Sequence, residues 1–185
     1  MGVATKQTAG TTVRFSGEVE VIGSTALVRL PADASRDLPS RGQVAVHATV
    51  AGHRVDTVVE PDGRRGHWLR VGPELTKAGV AEGDTVEAEL EVAEDWPEPE
   101  VPADLSAALD DAPEHIRDVW ADITPMARWE WVRWVGATKS EDTRAKRVRV
   151  SLDKMDHGKR RPCCFDLSSC TDPDVAKSAK LPDRA

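Results

Sequence analysis

No apolar run in this 185-residue chain approaches the ~18 residues that a bilayer span requires, so no membrane-spanning helix is expected. The opening stretch, Met1 to Thr12, is small and polar. It lacks the charged start and apolar core of a secretion signal and is expected to be a disordered tail. Cysteine is scarce: Cys163, Cys164 and Cys170 are the only three, and an odd set clustered within eight residues does not make a disulfide framework. With no signal, a reducing, cytoplasmic compartment is expected. A Gly-rich phosphate loop, a Ser-centred nucleophile elbow and a zincin motif are all missing. No carboxylate pair has a reason to be catalytic. The histidines His47, His53, His67, His115 and His157 are scattered, with no metal-ligand spacing between them.

What the chain does have is charge, and it is unevenly placed. The formal net charge is -7. Residues 1 to 100 carry 10 basic and 17 acidic side chains, and residues 101 to 185 carry 15 of each. Lys139 to Arg161 holds nine basic and four acidic residues, whereas Asp84 to Glu100 holds eight acidic residues and no basic one. A chain of this balance is not expected to bind nucleic acid, although the basic segment suits a smaller anion.

The apolar pattern changes period once. Val13, Phe15, Val19 and Val21 alternate with polar residues, as do Ala26, Val28 and Leu30, then Val44 to Val50, then Val86 to Val92. A period of two buries one face of a strand and wets the other. Ala51-Gly52-His53 predicts a hairpin. Pro61-Asp62-Gly63 predicts a turn, because Pro fixes φ, Asp bonds its own backbone and Gly accepts φ > 0. Five to seven short strands in about 80 residues point to a small barrel.

The proline-rich stretch from Trp96 to Pro102 reads as an extended linker. Beyond it the period becomes helical. Asp104 is placed to cap a first helix, Pro113 to open a second, and Thr124-Pro125 to start a third. Ser140 is placed to cap a fourth, with Ala145, Val148, Leu152 and Met155 as its apolar stripe and His157-Gly158 as its end. The expected organisation is therefore a tail over 1–12, a β-barrel over 13–95 and a Pro/Glu-rich linker over 96–103. A helical module over 104–158 and an irregular Cys-containing tail over 159–185 complete it. The fold class is α+β, a small β-barrel followed by a short helical module.

Phe15-x-Gly17, Leu30-Pro31, Val44 to Gly52 and Gly83-Asp84-x-Val86 give the first part its resemblance to a prokaryotic barrel domain of unknown function. The second part resembles the YdeI/OmpD-associated, or bacteriocin-protection, family. That likeness rests on Val101 to Leu105, Ala108-Leu109, Trp131-Val132-x-Trp134-Val135, Thr143-Arg144-Ala145-x-Arg147-Val148 and Gly158-Lys159-Arg160. The resemblance implies a double-split β-barrel, a shape shared with transition-state-regulator and antitoxin DNA-binding domains. It implies no catalytic role.

Three candidate sites follow. Four of the six tryptophans, Trp120, Trp129, Trp131 and Trp134, fall within 15 residues. Packing is the plain reading of so much aromatic area. The functional reading is an aromatic pocket where barrel and helices meet, with Trp131, Trp134, Arg128 and Arg133 binding an anionic or planar ligand. Arg144 and Arg147 would bind anions with them, or form salt bridges instead. Cys163, Cys164 and Cys170, near His157, are the third candidate: a reactive thiol or a Zn or Cu site, against burial as small apolar residues.

The leading expectation is a non-enzymatic binding or stress-related protein with no obligate cofactor. A thiol or metal function is the alternative, and DNA binding by analogy with the barrel's relatives is a third. The partner is expected to be a small molecule or a protein, with no membrane, and the chain is expected to be a monomer.

Overall fold

The computed structural model describes residues 10–162, 172–176 and 180–184. Its chain divides into two compact units, one running to Trp96 and taking in the described tail residues, the other beginning at Pro97. In the first unit β1 (Thr12–Ile22) and β2 (Thr25–Arg29) lead to a short helix, α1 (Ala32–Arg36). Then come β3 (Val44–Val50), β4 (His53–Pro61), β5 (His67–Arg70), a second short helix α2 (Pro73–Lys77), and β6 (Thr85–Val92). The six strands close into an antiparallel barrel in the order β1-β2-β5-β4-β3-β6.

Closure depends on β1. Its first part pairs with β6 from Thr12↔Glu91 to Glu18↔Thr85, and its last part pairs with β2 from Val19↔Val28 to Ile22↔Thr25. The strand passes from one neighbour to the other between Glu18 and Val19, just beyond Gly17. A Cβ on Gly17 would sit 2.6 Å from Val28 Cγ1, inside van der Waals contact, so the close approach of β1 to β2 requires glycine. The alternation read from the sequence fills the barrel with small branched side chains, Val19, Val28, Val46, Leu69, Val86 and Leu90 among them. The β3–β4 hairpin turns on Ala51 and Gly52 with φ of 48° and 82°, the positive pair of a two-residue turn matched to strand twist.

Two side chains point the other way. Leu27 and Trp68 are wholly buried yet adjoin the inward-facing Val28 and Leu69, so they lie on the outer surface of β2 and β5. Val175 and Leu181 of the tail cover them. Trp68 Nε1 donates to the Pro61 carbonyl at 3.2 Å, which satisfies its one polar group.

The second unit comprises α3 (Ala103–Asp110), α4 (Glu114–Asp122), α5 (Pro125–Gly136) and α6 (Glu141–Asp156). Leu105, Ile116, Ile123, Trp131, Val135 and Met155 form its core. Two caps stand where the sequence puts them: Thr124 Oγ1 accepts from Ala127 N at 3.2 Å and Ser140 Oγ from Thr143 N at 3.3 Å. Gly158 takes the left-handed conformation, φ 74°, that ends α6. Asp104 is not a cap. It lies inside the first turn of α3 and its carboxylate goes to Arg144. On α6, Val148, Ser151 and Met155 are buried, whereas Ala145 is exposed. Pro97 and Glu98, read as linker, are held by α5: Trp129 Nε1 donates to the Pro97 carbonyl at 2.6 Å and Arg128 pairs with Glu98 at 2.7 Å. No helix among the described residues is long and apolar enough to cross a membrane.

Candidate functional site

The cations expected to bind a ligand in the helical unit are occupied by the protein itself. Arg128 Nη1 donates to the carbonyls of Trp120 and Ile123 at 2.8 and 2.7 Å, so it caps the C-terminus of α4. Arg144 forms a two-pronged pair with Asp104, at 2.6 and 2.9 Å, and that guanidinium holds the Asp104 carboxyl below its usual range. Arg147 donates to the Trp134 carbonyl at 2.7 Å, with its guanidinium 5.5 Å from the Trp134 ring centroid. Lys154 lies 5.2 Å from the same ring, and Trp131 meets it edge-on at 6.2 Å. Trp131 is wholly buried, while Arg133 is half-buried and also has a partner. Arg161 makes a two-pronged pair with the buried Glu130.

His157 sits at the end of α6, where its ring Nδ1 bonds the Asp153 carbonyl at 2.7 Å. That bond, then the nearby Asp153 charge, raises its pKa. Cys163, Cys164 and Cys170 lie outside the described residues. Among the described residues no three His, Cys, Asp or Glu side chains converge as a metal site.

A different cluster gathers on the barrel. An open cleft of 770 Å³ is walled by α1 and the residues that flank it, Leu30 to Arg41, on one side and by the β4–β5 loop on the other. Arg36 and Arg41 come from the first wall, Arg64 and Arg65 from the second, with Leu30, Ala32 and Leu38 supplying apolar surface. Asp62 is the one carboxylate among the lining residues. The loop is built around it. Asp62 Oδ1 accepts from Arg64 N at 2.7 Å and Gly66 N at 2.8 Å, and Asp62 N donates to the Gly66 carbonyl at 3.0 Å. A Cβ on Gly66 would lie 2.4 Å from Asp62 Oδ2, so any other residue there would have to displace the Asp62 carboxylate. Arg65 holds φ at 73°, a conformation that costs a side-chain-bearing residue roughly 1–2 kcal/mol.

Arg41 buckles the two walls together. Its Nη2 donates to the carbonyls of Ser35 at 2.6 Å and Leu38 at 3.0 Å, closing the end of α1, and its Nη1 reaches the Arg65 carbonyl at 3.3 Å. Arg64 is tied to the tail through Leu181 O at 3.1 Å and Asp183 at 3.3 Å. Arg36 and Arg65 are both exposed, and neither guanidinium has an ion-pair or hydrogen-bond partner among the described residues. Arg41 and Arg64 therefore build the cleft, and the guanidinium groups of Arg36 and Arg65 have no partner among the described residues.

Behind the first wall, Ser35 and His67 form a buried pair, each 1% exposed. Nε2 of His67 meets the Gly42 carbonyl at 2.9 Å, which only accepts, so Nε2 carries the proton. Nδ1 is then the acceptor for the Ser35 hydroxyl at 2.7 Å. Burial is the largest influence on His67 and lowers its pKa, which keeps the ring neutral. Ser35 lines the cleft yet is almost wholly buried, and with His67 it forms a strut between α1 and β5.

Sequence reasoning missed this cleft. The available signal was the pair of adjacent arginines inside Asp62-Gly63-Arg64-Arg65-Gly66, a turn whose backbone has no other use for two cations.

Barrel and helices together define a two-domain protein of mixed α+β class. Residues 11–90 match the family model for a domain of unknown function (DUF1905), and residues 98–158 match that described as bacteriocin-protection, YdeI or OmpD-associated. The chain is a barrel domain of unknown function followed by a YdeI/OmpD-associated domain. The whole arginine cleft falls within the first match. No curated protein matches the chain.

Proposed function

We propose that this protein is a cytoplasmic, non-enzymatic receptor for a small anionic ligand, bound in the arginine-lined cleft of the barrel. The observation that carries the reading is the pair Arg36 and Arg65, two guanidinium groups without a partner among the described residues, on opposite walls buckled together by Arg41. The anionic ligand expected from the sequence is kept, and the proposed site is the barrel cleft rather than the junction of the barrel with the Trp/Arg helices. Four cations against Asp62 and the Asp183 that pairs with Arg64 leave a local positive field in a chain of net charge -7, and such a concave field concentrates anions. Planar guanidinium groups suit phosphate or carboxylate oxygens in pairs. The volume falls in the range of small-molecule sites, and the apolar strip of Leu30, Ala32 and Leu38 suits a ligand with a carbon body as well as charge. Binding rather than catalysis is favoured because Ser35, though it lines the cleft, is almost wholly buried and bonded to His67, whose other ring nitrogen is bonded to the Gly42 carbonyl.

Titration calorimetry at low ionic strength with inorganic pyrophosphate tests this. Each of Arg36→Ala and Arg65→Ala is expected to weaken binding about tenfold, since a charge-assisted hydrogen bond contributes roughly 1.5–3 kcal/mol. Affinity is expected to fall as salt is raised. Absence of binding by the unmodified protein at millimolar pyrophosphate would overturn the proposal.

A further inference from the structure

The described C-terminal residues do more than cover an apolar patch. Val175 and Leu181, 1% and 0% exposed, lie against Leu27 and Trp68 on the outer face of β2 and β5. That burial anchors the segment, and polar contacts fix its register. Arg29 Nη2 donates to the Pro182 carbonyl at 2.6 Å, and Arg70 pairs with Asp172. From the anchor, the backbone of Leu181 grips the cleft loop at two points. Its N–H donates to the Asp62 carbonyl at 2.9 Å, and its carbonyl accepts from Arg64 Nε at 3.1 Å. Asp62 is the residue around which the loop closes, and the same loop holds Arg65 in its left-handed conformation.

We infer that the C-terminal segment is a strap that completes the anion cleft, with Leu181 as a positioning residue. The inference rests on the reading of the cleft as an anion site. Leu181 does not line the cleft; it acts through Asp62 and Arg64. Its apolar side chain supplies the anchor, and its peptide group transmits the anchor to the loop. Without the strap, Asp62 loses a donor and Arg64 loses the carbonyl that orients its guanidinium. A loop that must keep a strained Arg65 then has fewer restraints against relaxing. Asp183 contributes little by comparison, because its carboxylate is 81% exposed. Thermodynamic linkage makes the coupling reciprocal: if the docked strap tightens ligand binding, the bound ligand tightens strap docking by the same factor.

The test compares the full chain, a chain ending at residue 171, and full-length Leu181→Ala and Leu181→Met, each checked for folding by circular dichroism. Pyrophosphate affinity is read by calorimetry, and amide exchange over 172–176 and 180–184 is followed with and without saturating pyrophosphate. The shortened chain and Leu181→Ala are expected to bind at least about fivefold more weakly, within the usual span of coupling between sites. Leu181→Met is expected to keep the affinity, and pyrophosphate is expected to slow exchange of the strap in the full chain. If the shortened chain does not fold, Leu181→Ala decides. Equal affinity of Leu181→Ala and the unmodified protein, with exchange unaffected by ligand, would overturn the strap while leaving the cleft standing. Failure of the unmodified protein to bind pyrophosphate would overturn both.

Discussion

At the scale of single residues, Gly17 and His67 carry consequences that reach beyond their own positions. Gly17 lies just before β1 passes from β6 to β2, with Val28 Cγ1 2.6 Å from where a Cβ would stand. Val28 is fully buried, so the clash cannot be relieved by swinging a surface chain. Gly17→Ala is expected to destabilise the barrel by about 1–3 kcal/mol, the usual cost of overfilling a core, measured by urea unfolding. His67 titrates against its burial. Its folded pKa lies below the ordinary 6.5, so the unfolded chain takes up a proton first as pH falls. The stability linked to it is complete above about pH 6.5 and is lost as pH drops from there toward the lowered value. Unfolding free energy measured between pH 7.5 and pH 5 is expected to show this acid slope, and His67→Gln to flatten it. An unchanged slope in the variant would contradict the buried, neutral assignment.

Secondary-structure elements show which signals in the sequence are local. The long strands were legible because alternation over Val13 to Val21 or Val86 to Val92 needs no knowledge of partners. The helix starts at Thr124 and Ser140 were legible for the same reason, since a cap and its amide are three residues apart. Helix α1 and strand β5 were not, because five and four residues are too few to establish a period. Asp104 was misassigned as a cap because its partner, Arg144, is 40 residues away. The β3–β4 hairpin carries a testable imperfection. Ala51 occupies a left-handed position, φ 48°, that an Asn tolerates better. Ala51→Asn is expected to raise stability by about 0.5–1 kcal/mol in the same urea measurement. A loss of stability would mean that the turn is held by something other than its backbone preference.

For the whole molecule, the two-domain plan and the barrel-then-helices order could be read from the change of period near Trp96. The candidate site could not. Its walls come from residues around Arg36 and around Arg65, nearly 30 positions apart, and only barrel closure brings them together. The net charge of -7 also conceals it, because an acidic total says nothing about where four arginines meet. Conversely, the dense Trp and Arg run of the helical unit drew notice on composition alone, and most of those cations serve backbone carbonyls and carboxylates of their own unit. The tail, expected to be irregular, contributes Val175 and Leu181 to a small apolar cluster on the barrel. The measurement that separates these two locations most directly is NMR of the arginine Nε–H resonances during pyrophosphate titration. Arg36 and Arg65 are expected to shift first and saturate together, while Arg128, Arg144 and Arg147 stay in place. Shifts confined to the arginines of the helical unit, with Arg36 and Arg65 unmoved, would contradict the proposed barrel site.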